Sequence, residues 1–295
     1  MKMEDKPTYF RIILPFKSNL QYLKLAIESV LRQSHTSWSL LVIDDFSEID
    51  EIPIIISEYS DDRIKFLAFE EPQGINKIFN YCLGEMTGDW NILMGADDLM
   101  DLDFLANLNT ATKLHPNVAI IQPRVKVIDS MGKNRFFLGD TVKGIIRFKR
   151  KAGLIPSGNA LHKLALGNWL YFPSLAWAGW VLEDKKFNPN LHIVLDLEMY
   201  TQIFYSGGVV LYWPKANFNY RRHSYSASMQ TSNLIQRIEE EIQVLNSMTL
   251  RFLENKDYLG FILAKTRISV RVNIFLKIIR PGSVQRRRLF ELIRA

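Results

Sequence analysis

The sequence is poor in cysteine and has no long hydrophobic run. Cys82 is the only cysteine among 295 residues, which excludes a disulfide within the chain and a cysteine-based zinc site. No stretch of about 18 uncharged apolar residues is present, which argues against a membrane-spanning helix. The first residues lack the apolar core of a signal peptide, and there is no internal repeat or low-complexity tract. We therefore expect a globular cytoplasmic protein.

What the chain does have is an ordinary globular composition with an uneven charge. Hydrophobic residues make up 47% and charged residues 23% of the sequence, enough for a sizeable core. The formal net charge is +6. Residues 229–295 carry twelve basic and six acidic side chains, whereas residues 1–228 carry 25 of each. A basic excess suits nucleic acid, a membrane surface or a phosphorylated ligand, and here it belongs wholly to the end of the chain.

Short apolar runs alternate with helical patterns in the first part of the chain. Apolar residues at helical spacing predict a helix over residues 20–31, with Ser18 or Asn19 as its N-cap, and a second one from about 75 to 86. Strands that alternate with helices indicate a parallel sheet covered on both faces. Such a sheet binds ligands at the carboxyl ends of its strands. The predicted strands cover residues 9–14, 39–43, 64–68, 90–94 and 118–122.

Two pairs of aspartates stand at such strand ends. The first acidic pair is Asp44 and Asp45, and the second acidic pair is Asp97 and Asp98. Carboxylates are costly to bury unpaired, and their hard oxygens suit Mg²⁺ or Mn²⁺ shared with the phosphates of a substrate. Two alternatives need no ligand: Asp98 or Asp101 could cap the next helix, and the first acidic pair could belong to a turn.

Several segments follow one another in a fixed order. Residues 14–18 read Leu-Pro-Phe-Lys-Ser, residues 26–33 read Ala-Ile-Glu-Ser-Val-Leu-Arg-Gln, and residues 44–47 read Asp-Asp-Phe-Ser. Further segments lie at 62–64, 73–80, 94–98, 187–200 and 220–223. In order and spacing they resemble the family 2 glycosyltransferases over roughly residues 9–228. The resemblance implies the α/β GT-A fold, with a Rossmann-like, mostly parallel central sheet flanked by helices.

The same resemblance implies an organisation and a function. A GT-A glycosyltransferase domain would cover residues 1–228. The basic charge and helical pattern of residues 229–295, outside the resemblance, indicate a helical C-terminal extension. The function implied is inverting, metal-dependent transfer of a sugar from a nucleotide-diphospho-sugar donor to a hydroxyl of a saccharide or lipid-linked acceptor, in polysaccharide, glycolipid or glycoprotein assembly. The cofactor would be manganese or magnesium (Mn²⁺ or Mg²⁺).

Two other functions remain open at this point. One is a sugar-1-phosphate nucleotidyltransferase, although residues 15–18 lack the Gly-rich phosphate loop of that class. The other is a non-catalytic sugar-nucleotide-binding protein, for which the argument is Gly95, because it replaces the first aspartate of the family's metal motif.

Catalytic and metal-binding roles also follow from the resemblance. Asp196 takes the place of the general base that deprotonates the acceptor hydroxyl, with Leu195 where the family has glutamate and Glu198 as a second candidate. The alternative is that Asp196 is only a first-turn helix residue favoured by the helix dipole. Asp97 takes the place of the cation ligand, and His223 would complete the metal shell.

Donor and acceptor contacts are assigned in the same way. Most of the aromatic residues between Trp169 and Trp180 are expected in the core, and one or two of them, with Ser174, could line the acceptor site. The residues expected to bind the nucleotide-sugar are Pro15, Phe16, Asp44, Asp45, Gly74, Asn80, Asp97 and Arg222.

The C-terminal extension has a helical pattern of its own. Apolar residues at 261, 264, 268, 272, 275 and 279 predict one continuous stripe. The helix could dock on the catalytic domain or on a second copy of the chain in a homo-oligomer. Alternatively, it could bind an anionic membrane surface and hold the enzyme as a peripheral protein at the inner face of the membrane. We expect no nucleic-acid partner, since only the charge of the tail suggests one.

Overall fold

The computed structural model describes residues 6–135, 138–147, 151–222 and 234–278. Its strands are β1 (Phe10–Phe16), β2 (Trp38–Asp44), β3 (Ile64–Ala68), β4 (Trp90–Leu93), β5 (Leu99–Met100), β6 (Ile120–Ile128), β7 (Gly153–Ile155), β8 (Ala176–Ala178) and β9 (Val210–Arg221). Its helices are α1 (Leu20–Leu31), α2 (Ile52–Glu58), α3 (Ile75–Gly84), α4 (Phe104–Leu114), α5 (Leu138–Arg147), α6 (Ser157–Leu166), α7 (Leu195–Tyr205), α8 (Leu234–Glu254), α9 (Tyr258–Thr266) and α10 (Ile268–Ile278).

All of these strands belong to one sheet, in the order β3-β2-β1-β4-β8-β6-β9-β5, with β7 beside β9. The strands β1, β2, β3 and β4 are parallel neighbours. The short strand β8 runs antiparallel between β4 and β6, so β4, β6 and β9 share one direction. The predicted α/β architecture with a mostly parallel sheet is confirmed, whereas the short antiparallel strands β5, β7 and β8 were not predicted.

Helices cover both faces of the parallel half. Neighbouring residues of β1 point to opposite faces. Ile12 packs with residues of α1 and α4, whereas Ile13 packs with Ile78 and Cys82 of α3. The strands are apolar on both sides for this reason. Asn19 is the N-cap of α1, and its side chain accepts the N–H of Tyr22 at 3.1 Å, as the sequence predicts.

The three C-terminal helices pack on the α/β part of the chain. Phe252 of α8 and Ile274 of α10 share a buried cluster with Trp169. The His162 imidazole of α6 lies 2.6 Å from the carboxylate of Asp257, the N-cap of α9. The α/β part of the chain and the C-terminal helices therefore share buried apolar contacts. Within the described ranges, no helix is long and apolar enough to cross a membrane.

The prediction of one continuous C-terminal stripe is wrong. Arg267 adopts the left-handed conformation (φ 48°, ψ 41°) between α9 and α10, a conformation that L-residues adopt singly and that interrupts a helix. The helical phase therefore resets, and Val270 and Ile274 are the buried positions of α10. The predicted stripe residues of α10 are exposed instead: Ile268, Val272 and Phe275. Ile279 lies outside the described residues.

Candidate functional site

The carboxyl ends of β1, β2 and β4 lie side by side. Phe16 pairs with Asp44 in the register of β1 and β2, and the N–H of Met94, just after β4, donates to the carbonyl of Ile13 on β1 at 2.9 Å. This edge therefore brings together both acidic pairs with Pro15 and Phe16. It is the edge at which parallel α/β sheets bind their ligands.

The two residues of the first acidic pair make different contacts. The Asp44 carboxylate accepts the backbone N–H of Ser47 at 2.9 Å and its hydroxyl at 2.8 Å, so Asp44 does form the turn. The Asp45 carboxylate accepts the N–H of Gln73 at 2.7 Å and lies 3.7 Å from Lys17 Nζ. Asp45 thereby holds the residue before Gly74, the N-cap of α3, at the same edge. Contacts of this pair with a nucleotide stay a prediction.

Asp98 of the second acidic pair is completely buried. Its Oδ1 accepts the N–H of Arg221 at 2.7 Å, whereas its Oδ2 has no hydrogen-bond partner. Burial, followed by the negative charge of Asp97, raises the pKa of Asp98 well above its usual value, against the hydrogen bond from Arg221. The helix-cap alternative is wrong, because Asp103 is the N-cap residue of α4, its side chain makes no capping hydrogen bond, and Gln33 Oε1 instead accepts the N–H of Leu105 in the first turn at 2.9 Å.

Sequence reasoning singled out Arg222 and missed Arg221. Arg221 is 2% exposed. Its Nε donates to the carbonyl of Asp97 at 2.7 Å and its Nη1 to that of Asp129 at 3.0 Å. The backbone N–H of Arg222 donates to Ile128. Nothing in an Arg-Arg run tells which of the two turns inward, so no sequence signal identified Arg221 as the support of the second acidic pair.

Gly95 leaves open a space on which both carboxylates of the second acidic pair converge. A Cβ at Gly95 would lie 2.7 Å from Asp98 Oδ2 and 2.9 Å from Asp97 Oδ1. Two hard oxygens, one of them buried without a hydrogen-bond partner, fit a divalent cation. His223, the predicted second metal ligand, lies outside the described residues. In the part of the chain that the structure describes, no cluster of three or more His, Cys, Asp or Glu side chains is arranged for a metal ion.

Asp196 lies in the first turn of α7. Asn168 Nδ2 donates to its Oδ2 at 2.7 Å, and the N–H of Leu197 donates to its Oδ1 at 2.8 Å. Residues 206–209 join the end of α7 to the start of β9, at the amino edge of the sheet. His192, just before α7, contacts Asn76 in the first turn of α3, and the start of α3 is held at the carboxyl edge through Gln73 and Asp45. The first turn of α7 therefore lies toward the carboxyl edge. Its role as the general base stays a prediction.

The segment before α7 is tied to α3. Asn76 Nδ2 lies 2.8 Å from His192 Nδ1. The Asn80 amide accepts the N–H of Phe187 at 2.8 Å and donates to its carbonyl at 3.1 Å. Asn80 thus links α3 to the segment that leads to Asp196. A contact between Asn80 and the nucleotide-sugar stays a prediction.

Most of the aromatic residues between Trp169 and Trp180 lie in the core, as the sequence predicts. Trp169, Ser174 and Trp177 are buried in the core. Trp180 is 52% exposed, but it follows Ala178, which pairs with Trp90 at the start of β4. It therefore lies at the amino edge of the sheet, opposite the acidic pairs. Tyr171, by contrast, packs against Tyr220 with ring centroids 5.8 Å apart, beside Arg221. An acceptor wall that includes one or two members of the cluster stays a prediction.

Replacing Arg221 with methionine should lower the free energy of unfolding by about 3 kcal/mol, because a buried charge near Asp98 and the donors to three backbone carbonyls are lost together. Differential scanning calorimetry measures this loss as a lower Tm. Arg124→Met, at an exposed position of β6, is the matched control and should change the free energy of unfolding by less than about 0.5 kcal/mol. Equal Tm values for the two variants would refute the supporting role of Arg221.

Comparison with known proteins adds the following similarities. A family model described as Glycosyl transferase family 2 matches residues 11–175. The Escherichia coli protein UDP-Glc:alpha-D-GlcNAc-diphosphoundecaprenol beta-1,3-glucosyltransferase WfgD is 29% identical over 119 residues, which cover 40% of this chain and 46% of that protein. The chain spans about half the length of the curated relatives that it matches.

Two solved structures match nearly the whole length of the chain. TarS 1–349 of S. aureus in complex with UDP-GlcNAc has a TM-score of 0.72 and 16% sequence identity, covering 96% of this chain and 79% of that one. The mannosyltransferase PcManGT of Pyrobaculum calidifontis in complex with GDP-Man and Mn²⁺ has a TM-score of 0.60 and 15% identity, covering 98% and 86%. At these identities the likeness concerns the fold, and the predicted GT-A fold is confirmed.

Proposed function

Because the chain belongs to glycosyl transferase family 2, we propose that it is an inverting, cation-dependent glycosyltransferase, which moves a sugar from a nucleotide-diphospho-sugar to an acceptor hydroxyl. The observation that carries the proposal is the single sheet edge that collects both acidic pairs and toward which the first turn of α7 is directed. A donor bound there would have carboxylates beside its nucleoside and beside its diphosphate.

The donor nucleoside would lie at the ends of β1 and β2. Pro15 and Phe16 would contact the base, and Asp45, with Asp44 close by, would accept hydrogen bonds from a base N–H or from ribose hydroxyls. Gly74, the N-cap residue of α3, has φ 78°, a value that glycine adopts without strain. The loop that Asp45 holds through Gln73 would therefore close over the nucleoside.

The diphosphate would lie against the second acidic pair. Asp97, with the unpartnered Oδ2 of Asp98 beside it, would hold Mn²⁺ or Mg²⁺, and water and phosphate oxygens would fill the other coordination positions. Bound there, the cation supplies Lewis-acid neutralisation of the charge on the leaving nucleoside diphosphate. Arg222 would contact the phosphates, and we keep His223 as a further cation ligand although it lies outside the described residues.

Asp196 would act on the acceptor. Its carboxylate takes the proton of the acceptor hydroxyl while that oxygen bonds to the anomeric carbon, and the bond from this carbon to the diphosphate oxygen breaks on the opposite side. Attack from that side inverts the configuration. Asn168 holds one carboxylate oxygen at 2.7 Å and thereby orients the base.

We further propose residues 1–228 as the transferase domain and residues 229–295 as the extension that places it near a lipid-linked acceptor, in glycolipid or polysaccharide assembly. The name of WfgD specifies a diphosphoundecaprenol-linked acceptor, which supports this class of acceptor. Helices α9 and α10 expose basic side chains, Lys265 and Arg271, beside apolar ones. The exposed apolar residues are Tyr258, Leu259, Ile262, Ile268, Val272 and Phe275. An anionic membrane surface complements both sets.

Sedimentation with anionic vesicles tests the membrane proposal. The chain should sediment with vesicles containing about 30% phosphatidylserine and much less with neutral ones, because basic side chains are attracted to anionic lipid. Replacing Leu259, Ile262 and Phe275 together with serine should weaken binding by about tenfold or more. The matched control replaces three exposed apolar residues of α2 and α4 and the loop before α4, namely Ile54, Leu102 and Leu114. Equal vesicle binding by both triple variants would contradict the membrane proposal. If the chain forms a dimer and only the first triple variant loses it, these helices bind a second copy of the chain instead.

A thermal-shift panel tests donor binding. UDP-, GDP- and dTDP-sugars are added with and without Mn²⁺, and at least one donor should raise the Tm more with the cation than without it, since a ligand that binds only the folded state stabilises it. Hydrolysis or transfer is then measured for that donor. Stabilisation without any turnover would favour a non-catalytic sugar-nucleotide binder, and no stabilisation by any donor would contradict the proposal.

A further inference from the structure

One buried glutamate of the C-terminal extension contacts the segment that carries Asp196. The Glu240 carboxylate on α8 accepts three consecutive backbone N–H groups, from His192 at 3.0 Å, Ile193 at 2.8 Å and Val194 at 3.1 Å. Gln236 Nε2 donates to it at 2.9 Å. Glu240 is only 6% exposed, so these hydrogen bonds replace the water that a charged carboxylate otherwise requires.

The position of this carboxylate matters because α7 has no cap of its own. Val194 is the N-cap residue of α7, and its side chain makes no capping hydrogen bond. An N-terminus without a capping side chain leaves backbone N–H groups unsatisfied and carries partial positive charge. Leu195 offers no carboxylate either. Glu240, 46 residues further along the chain, binds the N–H of the N-cap residue Val194 and of the two residues before it, and so places a negative charge beside the positive end of α7.

Asp196 lies two residues after the last N–H group that Glu240 binds. The first turn of α7 is thus held on one side by Glu240, through the backbone, and on another by Asn168, which contacts the carboxylate of Asp196 directly. His192, one of the three residues whose N–H groups Glu240 binds, is also joined to Asn76 of α3. These contacts fix the backbone from which the Asp196 side chain projects.

From these contacts we infer that Glu240 is a positioning residue for Asp196, so that the C-terminal extension sets the orientation of the base in the transferase domain. The inference rests on the proposed function of Asp196. Glu240 itself touches no substrate. Its effect is geometric, and a general base displaced by a fraction of an ångström loses rate rather than donor affinity.

Glu240→Gln tests the inference, because the variant keeps the volume of the side chain but turns an amide NH₂ toward backbone donors. Hydrogen exchange of at least one of the His192, Ile193 and Val194 amides should become about tenfold faster, since the amide side chain offers one acceptor oxygen where the carboxylate offers two. With a donor found by the thermal-shift panel, kcat should fall about tenfold or more while the donor KM stays within about twofold. The matched control is Glu239→Gln, the same charge change at the exposed neighbouring position of α8, which should alter neither quantity.

Three outcomes separate the possibilities. Unchanged amide exchange in Glu240→Gln, or faster exchange with unchanged kcat, would overturn the positioning role alone. A wild-type chain that turns over no donor would count against the proposed function and against the positioning role with it. If Glu240→Gln fails to fold, Gln236→Ala provides a milder test, because it removes only the 2.9 Å donor to the Glu240 carboxylate. In this variant amide exchange should be about twofold faster and kcat about twofold lower than in the wild type. The absence of these effects would then overturn the inference.

Discussion

Replacing Asp196 with asparagine is expected to lower the rate of sugar transfer by about 10³-fold and to leave donor affinity within about twofold of the wild-type value. An amide cannot take the proton of the acceptor hydroxyl, whereas its shape is that of the carboxylate. Asn168 lies 2.7 Å from the present Oδ2 and can rotate its own amide to face the new one, so we expect the fold to persist. Initial rates at saturating donor, with a Kd from calorimetric titration, measure both quantities.

Glu198 provides the matched comparison on the same helix turn. Burial raises the pKa of Glu198, and the hydrogen bond that Gln202 Nε2 donates to it at 2.6 Å opposes this shift. Gln202 also donates to the carbonyl of Lys186, which holds Glu198 in a local network. Glu198→Gln should therefore keep the rate within about threefold of the wild-type rate, because neutral substitutions outside the reacting groups leave proton transfer intact. Loss of transfer in Glu198→Gln with retention in Asp196→Asn would exclude Asp196 as the base.

The second large effect is expected from Asp97→Asn. This variant should lower the transfer rate by about 10²- to 10³-fold, since a group aimed at the charge of the leaving diphosphate is lost. It should also abolish the additional stabilisation that Mn²⁺ gives to the donor complex, a readout that does not depend on turnover. The thermal-shift titration is run at fixed donor with increasing Mn²⁺, beside the rate measurement.

Asp101→Asn is the matched control for this variant. Asp101 lies three residues after Asp98 and carries a carboxylate, but that carboxylate contacts Lys126 Nζ at 3.0 Å and Asn219 Nδ2 at 2.7 Å. We expect its Mn²⁺ dependence to equal that of the wild type. Undiminished Mn²⁺ dependence in Asp97→Asn, or an equal loss in both variants, would contradict the role of the second acidic pair.

The longer strands of the sheet could be predicted because each is a continuous run of apolar residues that ends at a polar residue or a turn. Apolar runs that end in Asp44 or in the turn at Gly95 predict buried strands, and β3 has the predicted bounds, residues 64–68. The short strands β5, β7 and β8 have two or three residues each. A run of that length is too short to show the alternation of residues that is typical of a strand, and only its pairing with β4, β6 or β9 makes it one.

The acidic pairs were also predicted, but their division of roles was not. The turn that Asp44 forms with Ser47 is local, but the contact of Asp45 with Gln73 depends on a loop 28 residues away. That Asp98 is buried depends on Arg221, 123 residues away. Such contacts are made by the fold, and neither residue type nor spacing encodes them.

In the C-terminal extension, too, local sequence does not predict the contacts that the fold makes. Its apolar spacing predicts one helix, but the left-handed Arg267 resets the phase, and arginine carries no sequence signal for that conformation. Glu240 stands in an acidic run with Glu239 and Glu241, where the usual expectation is a solvent-exposed helix face. Only the packing of α8 against the segment before α7 reveals that Glu240 is buried on three backbone N–H groups.

Release of nucleoside diphosphate tests the central claim most directly. Wild type, Asp196→Asn and Asp97→Asn are incubated with UDP-, GDP- or dTDP-sugars, Mn²⁺ and a panel of saccharide and lipid-linked acceptors, and the nucleotide is followed by chromatography and mass spectrometry. The account predicts acceptor-stimulated release from at least one donor by the wild type, reduced by about 10²-fold or more in both variants. No release from any donor, or equal release by all three proteins, would contradict it.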